Sequence, residues 1–150
     1  MFEKKKKQLL TYFNEQAPIA KHFGMRLSYS DTNRAIVDLP YNPALNHAMG
    51  GIHGGVYATL LDTAGWFTSA VTHEESIWIA TSELSMHFLK PAQECSLQAI
   101  GKIIQSGKRQ DIVEMHIYDG NEQLVGHGTG TFILLPTILM GVEKLIAKNS

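Results

Sequence analysis

An α+β fold, in which one long helix covers a curved sheet of about six mostly antiparallel strands, is predicted by three features of the chain. The stretch from Val56 to Val71 contains no proline and one charge, Asp62, and its apolar residues recur at helical spacing. After it, from residue 77 to residue 135, the pattern changes to a period of two. Short turns rich in Gly, Asn and Asp separate the later strands, which makes consecutive strands antiparallel.

Taken in order, residues 3–16 combine Lys4 to Lys7 with Leu9, Leu10, Tyr12 and Phe13, and predict a short amphipathic helix with a solvated basic end. Strands are expected from Phe23 to Ser30 and from Arg34 to Leu39, joined at Asp31-Thr32-Asn33 and stopped by Pro40 and Pro43. A loop of small and polar residues leads to the long helix. There Val56, Leu60, Ala64, Phe67 and Val71 form one apolar face, widened by Tyr57 and Leu61, while Thr59, Asp62, Trp66 and Ser69 make a narrow polar stripe. Residues 77–89 place Trp78, Ala80, Leu84, Met86 and Phe88 against Thr81, Glu83, Ser85 and His87. Three further strands cover 95–105, 109–118 and 123–135, turning at Ser106-Gly107-Lys108 and Asp119-Gly120-Asn121. In the last of them Gly126, Gly128 and Gly130 share a face, which suits a helix lying close against it. The tail, 136–150, is expected to form a short helix with Leu139, Val142 and Ile146.

A chain of 150 residues with 44% hydrophobic content is one domain, 1–150, with enough apolar residues for a continuous core. A formal net charge of −1 gives no reason to expect nucleic acid, and no apolar run is long enough for a membrane span. The N-terminus lacks an apolar segment behind its lysines, which favours the cytoplasm. Cys95 is the only cysteine, so no internal disulfide forms, and its strand position suits a small hydrophobe better than a nucleophile. The seven histidines lack the close spacing of a zinc site, and G-x-S-x-G, P-loop and G-x-G-x-x-G patterns are absent, so neither metal nor cofactor is expected.

The chemistry-bearing stretch is NHAMGGIHGG at 46–55 followed by the helix carrying Asp62. A carboxylate on an otherwise apolar helix is costly to bury unless it is paired or used. Asn46 in the loop, His53-Gly54-Gly55 at the helix start, an acid nine residues after that histidine, and TSELSMHFLKPA at 81–92 together resemble the hot-dog fold acyl-CoA thioesterases, in particular their PaaI-like branch. The resemblance extends from about Gly24 to Leu134. It implies a curved sheet wrapped around the long helix, homodimers with active sites at the subunit boundary, and dimers of dimers.

It also implies roles. The amide of Gly55 would stabilise the oxyanion of a tetrahedral intermediate, as unpaired N–H groups at a helix start can. Asn46 and His53 would orient the thioester, Gly54 would let it approach, and Asp62 would activate water or attack directly. Thr81 stands where related enzymes carry a Ser or Thr near the reacting water. The segment HAMGGI is one residue longer than the pattern, so His47 is an alternative to Asn46. Lys108 and Arg109, then Lys90, are the expected contacts for CoA phosphates. Tyr57, Leu61 and Trp66 are expected to line the acyl group. Two other readings are a hot-dog enoyl-CoA hydratase or dehydratase and a non-catalytic acyl-CoA-binding module in which Asp62 is structural. The acyl group, its carrier and the pathway are not legible from these residues.

Overall fold

A computed structural model of the chain describes residues 2–73 and 77–139. The apolar run folds as one 19-residue helix, α3 (Gly54–Thr72), whose Val56, Tyr57, Leu60, Leu61, Ala64, Phe67 and Val71 are all buried. Six strands wrap it: β1 (Arg26–Tyr29), β2 (Ala35–Leu39), β3 (Ile77–Phe88), β4 (Leu97–Ser106), β5 (Gln110–Asp119) and β6 (Leu124–Leu139). They form one sheet in the order β1-β2-β4-β5-β6-β3 with every neighbouring pair antiparallel. The chain therefore crosses the whole sheet through α3, placing β3 at the edge opposite β1.

The core lies between α3 and the inner face of the sheet, where Val37, Ala99, Val113, Met115, Ile117 and Phe132 are fully buried. Burying each large aliphatic side chain contributes about 1.5–3 kcal/mol, so this layer supplies most of the driving force. Glycine is required where helix and sheet come closest. A Cβ on Gly128 would lie 3.3 Å from Leu61 Cδ1 and 2.8 Å from the Ser85 carbonyl oxygen, as the alternating glycines of β6 predicted. At Gly130 the space is instead filled by Phe132 from the same strand.

Differences from the expected elements have local causes. The N-terminal helix is α1 (Phe2–Thr11) followed by a π-helical turn, Tyr12–Gln16, and Lys5 within its basic run is buried at 7% exposure. A second helix, α2 (Pro18–Phe23), takes Phe23 from the strand expected over 23–30, which begins at Arg26; Pro18 starts the helix and Gly24, at φ 83°, ends it in the left-handed region. Asn14 ties this segment down, its side chain donating to the Leu27 carbonyl at 2.9 Å and accepting from the Leu27 N–H at 2.8 Å. In β3 the register with β6 slips between Thr81 and Glu83, a bulge that switches the strand's faces. Ile79 and Thr81 point to α3 before it and Leu84 and Met86 after it, so Trp78 and Ala80 do not share a face with Leu84. β6 continues through Pro136 to Leu139, with a second irregularity between Leu135 and Leu139 that accommodates the missing proline N–H. Of the helix expected for the tail, residues 140–150 lie outside the described residues.

Candidate active site

The start of α3 is shaped by the loop before it. Asn42 caps a single 3-10 turn, Pro43–Leu45, by accepting from the Ala44 N–H at 3.1 Å. A tight turn at Gly50, φ 89°, then brings Asn46 and Ile52 into a one-pair antiparallel bridge. The Ile52 N–H donates to the Ala92 carbonyl at 2.9 Å, which ties the loop to the segment between β3 and β4, and the His53 N–H donates to the Leu45 carbonyl at 3.1 Å, which closes the loop on itself. His53 is the N-cap of the helix, with its ring Nδ1 accepting from the Gly55 N–H at 2.7 Å. Both residues are exposed, so a ligand can reach this helix start. The amide expected to meet an oxyanion is thus engaged by its own histidine, and a rotation of the His53 side chain would release it.

Asp62 lies two turns further along α3 and is half-buried. Thr81 Oγ1 donates to its Oδ1 at 2.7 Å, so the bulge in β3 and the polar stripe of the helix bring together two predicted residues 19 positions apart. Trp66, one turn beyond, donates from Nε1 to the Ile79 carbonyl at 2.6 Å and stacks edge-on with Trp78 at 6.0 Å. Asp62 is not brought to Gly55 of the same chain: seven residues of helix separate them by about 10 Å.

The other predicted residues divide between the two ends of α3. Asn46 donates from Nδ2 to the Tyr41 hydroxyl at 2.9 Å, while its Oδ1 is buried with no hydrogen-bond partner among the described residues. His47 is turned into its own loop, accepting from the Met49 N–H at 3.1 Å with its ring over Gly51. Gly54 faces Phe88, whose ring would be 3.1 Å from a Cβ there. Tyr57 and Leu61 are core residues at 2% and 0% exposure, so neither presents an open surface within this chain. The Tyr57 hydroxyl donates to the Lys90 carbonyl at 2.9 Å, and burial, with Cys95 and Asp119 nearby, pushes it up to about 12. Lys90 is therefore near the start of the helix. Lys108 and Arg109 sit in the β4–β5 turn at its other end, about 25 Å away by helix length.

That other end holds a site the sequence reading did not find. Asp111 is fully buried and accepts from Ser69 Oγ at 2.6 Å, His73 Nε2 at 2.7 Å, Ser106 Oγ at 2.8 Å and the Gly107 N–H at 3.3 Å. Burial acts to raise this carboxyl, and the hydrogen bonds from His73, Ser69 and Ser106 outweigh it, so its pKa falls below the ordinary 3.8. Ser69 belongs here and not to an open stripe with Asp62. Because the serine gives its proton to the carboxylate and not to the histidine, the group is not arranged as an activated nucleophile. The signal was present in β5, where Asp111 occupies the inward register of Val113, Met115 and Ile117.

A third polar group lies on the outer face of the sheet. His127 Nε2 and Glu114 Oε2 are 3.2 Å apart and the His116 and His127 rings meet edge-on at 4.9 Å. The bond from His127 lowers the Glu114 carboxyl below its ordinary value, and burial lowers the His116 ring below its own despite the neighbouring Glu114. Cys95 is half-buried, and burial with Asp119 alongside pushes its thiol up, away from thiolate chemistry. No helix among the described residues is long and apolar enough to cross a membrane.

Known proteins match both the sequence and the fold. A Saccharolobus solfataricus protein provisionally designated an esterase is 26% identical over 125 residues, 83% of this chain and 89% of the relative. A Halobacterium salinarum protein with the same provisional designation is 31% identical over 105 residues, 63% of this chain and 69% of the relative. Among solved structures, a Bacillus halodurans protein crystallised with CoA superposes with a TM-score of 0.76 at 29% identity, covering 89% of this chain and 91% of that one. The PaaI protein of the E. coli phenylacetic acid degradation operon shares the fold with a TM-score of 0.78 at 20% identity, covering 90% and 96%. Residues 49–125, which run from the loop before α3 into β6, match the thioesterase superfamily model. A hot-dog sheet wrapped on one helix and a superfamily match spanning that helix lead to one conclusion: the chain belongs to the thioesterase superfamily.

Proposed function

We propose that the protein hydrolyses an acyl-CoA thioester to a free acid and CoA, in a site completed by two copies of the chain. The observation that carries this reading is the Thr81–Asp62 pair, a half-buried carboxylate held by one hydroxyl at 2.7 Å, its other oxygen without a hydrogen bond among the described residues and so open to a proton or a carbonyl carbon. The thioester carbonyl rests at the exposed start of α3, where the Gly55 amide, released by His53, meets the developing oxyanion, with Asn46 and His53 alongside. Asp62 of the second copy takes a proton from water as it attacks, or attacks first and forms an anhydride that water then opens. In either case the C–S bond breaks and the CoA sulfur leaves with the electron pair and is protonated.

The roughly 10 Å between Gly55 and Asp62 within one chain supports a shared site. So does β3, a 12-residue edge strand with Trp78 and Phe88 exposed beside it, the kind of edge that a second copy covers by pairing. Two such dimers would form a tetramer. The CoA found with the Bacillus halodurans relative supports CoA as the carrier, with Lys90 at one end of the site and Lys108 and Arg109 of the other copy as phosphate contacts. Trp66, one helical turn beyond Asp62, and Trp78, packed against it at 6.0 Å, offer an apolar surface for the acyl group, with Tyr57 and Leu61 in the core behind it.

The test is a panel of acyl-CoA substrates followed by free-thiol release, on wild type and Asp62→Asn. Loss of about 10²–10⁴-fold in kcat/KM with an unchanged fold supports the reading. Undiminished turnover in Asp62→Asn, or a strictly monomeric active protein, sinks it.

A further inference from the structure

We propose that Glu114, His116 and His127 form a binding site for a divalent transition-metal ion of the zinc class, on the face of the sheet turned away from α3. The thioester reading makes no use of this face. Strand register builds the group: Asp111, Val113, Met115 and Ile117 of β5 point to the helix, so Glu114 and His116 alternate to the outside. His127 stands directly opposite His116 on β6, between Gly126 and Gly128, whose missing side chains face Tyr57 and Leu61 of α3. One ligand atom from each of the three residues can be chosen so that all lie within 4.8 Å of one another.

The spacing suits an ion. Two ligands held about 2.0–2.1 Å from a tetrahedral metal are themselves about 3.3 Å apart. His127 Nε2 and Glu114 Oε2 already stand 3.2 Å apart, so an ion replaces the proton they share with little movement of either. The His116 ring, meeting that of His127 at 4.9 Å and stacked 18° from the plane of Tyr118, is placed to supply the third bond. Two imidazole nitrogens and one carboxylate oxygen form a borderline donor set that suits zinc, nickel or copper, whereas magnesium and calcium prefer oxygen alone. All three side chains are partly exposed, which leaves an entry path and a water-filled fourth position. Lys102, opposite Glu114 on β4, and Arg34, which acts on His116, are competing cations, and the exposed Lys102 side chain can swing into solvent. A bound ion would tie β5 to β6 and raise the melting temperature.

Titration calorimetry of the full chain with Zn²⁺ alone tests this. One ion per chain is expected, with binding weakened more than about 100-fold by His116→Ala or His127→Ala, beyond the ~10–100-fold that loss of an orienting partner costs. Glu114→Gln should weaken it by about tenfold or more. His22→Ala and His47→Ala, at exposed histidines elsewhere, should leave it unchanged. On the wild type itself, long-range ¹H–¹⁵N spectra should show Zn²⁺ perturbing two of the seven imidazoles first, a readout that does not depend on any variant folding. Equal zinc uptake by wild type and both histidine variants would overturn the site. So would no stoichiometric uptake by the wild type at submillimolar zinc, or first perturbation of histidines other than His116 and His127.

Discussion

Asp62, carried by α3, and Asp111, bound to α3 through Ser69, meet the helix at positions seven residues apart, yet their surroundings are opposite. Asp111 has no exposed surface and four donors, Ser69, His73, Ser106 and the Gly107 amide. Asp62 is half-open and accepts from Thr81. A carboxylate whose lone pairs are all engaged away from water fastens structure together, whereas one with lone pairs to spare can take a proton or attack. The difference makes the buried Asp111 cluster a fastening of the lower end of the helix, and leaves the carboxylate in its middle as the one open to the proposed chemistry.

The sharpest way to break that contrast is to neutralise each acid. Asp62→Asn should lower hydrolysis by about 10²–10⁴-fold while moving the melting temperature little, measured by thiol release and thermal denaturation on the same preparation. Asp111→Ala should do the reverse. It leaves two hydroxyls, a histidine and an amide without their acceptor and is expected to cost ~3–5 kcal/mol of stability by denaturant unfolding, with turnover retained at temperatures where the variant is folded. If Asp111→Ala abolished turnover in a folded protein, the division of labour would be wrong.

Acid pH sharpens the same comparison. The folded Asp111 carboxyl titrates below its ordinary 3.8, because hydrogen bonds to the charged form outweigh burial. A depressed carboxyl contributes stability in full above the unfolded value and loses it as pH falls through the folded one. The stability gap between wild type and Asp111→Asn should therefore be constant at neutral pH and shrink below about pH 3.8, as paired unfolding curves would show. A gap that widened on acidification would mean that the native carboxyl titrates above its ordinary value.

Much of this was legible beforehand where a period repeats. The face of α3 from Val56 to Val71 and the alternation of β4 to β6 are long enough for burial to impose them, and the glycines of β6 announced the close approach of Leu61. What the sequence reading missed depends on one-residue events or on register. The bulge near Ser82 reverses which side of β3 faces the helix, and α2 is six residues long, shorter than the window in which periodicity is read, although Pro18 and Gly24 mark its ends. Of the candidate site, His53, Gly55 and Asp62 stand out in the sequence because an HGG with an acid nine residues after its histidine resembles the family's spacing. The engagement of the Gly55 amide by His53 could not, being a matter of side-chain rotamer. Ser69 with Asp111, and Glu114 with His116 and His127, meet only once β5 is aligned with α3 and β6; the scatter of seven histidines along the chain concealed a pair placed side by side.

The smallest expected effect tests Thr81. Thr81→Val keeps the β-branched shape that suits a strand and removes only the hydroxyl, so the backbone of β3 should be preserved. A single hydrogen bond contributes about 0.5–1.5 kcal/mol, or about a 2-fold to 13-fold effect on rate. If the hydroxyl acts by orienting Asp62, the loss should fall on kcat with KM little changed, and Thr81→Ser should restore it. A decrease as large as that of Asp62→Asn would make the hydroxyl itself a reacting group. No decrease at all would reduce the 2.7 Å bond to a strand threonine resting on a carboxylate that needs no orienting, and Asp62 would then have to be held by the substrate or by the second copy.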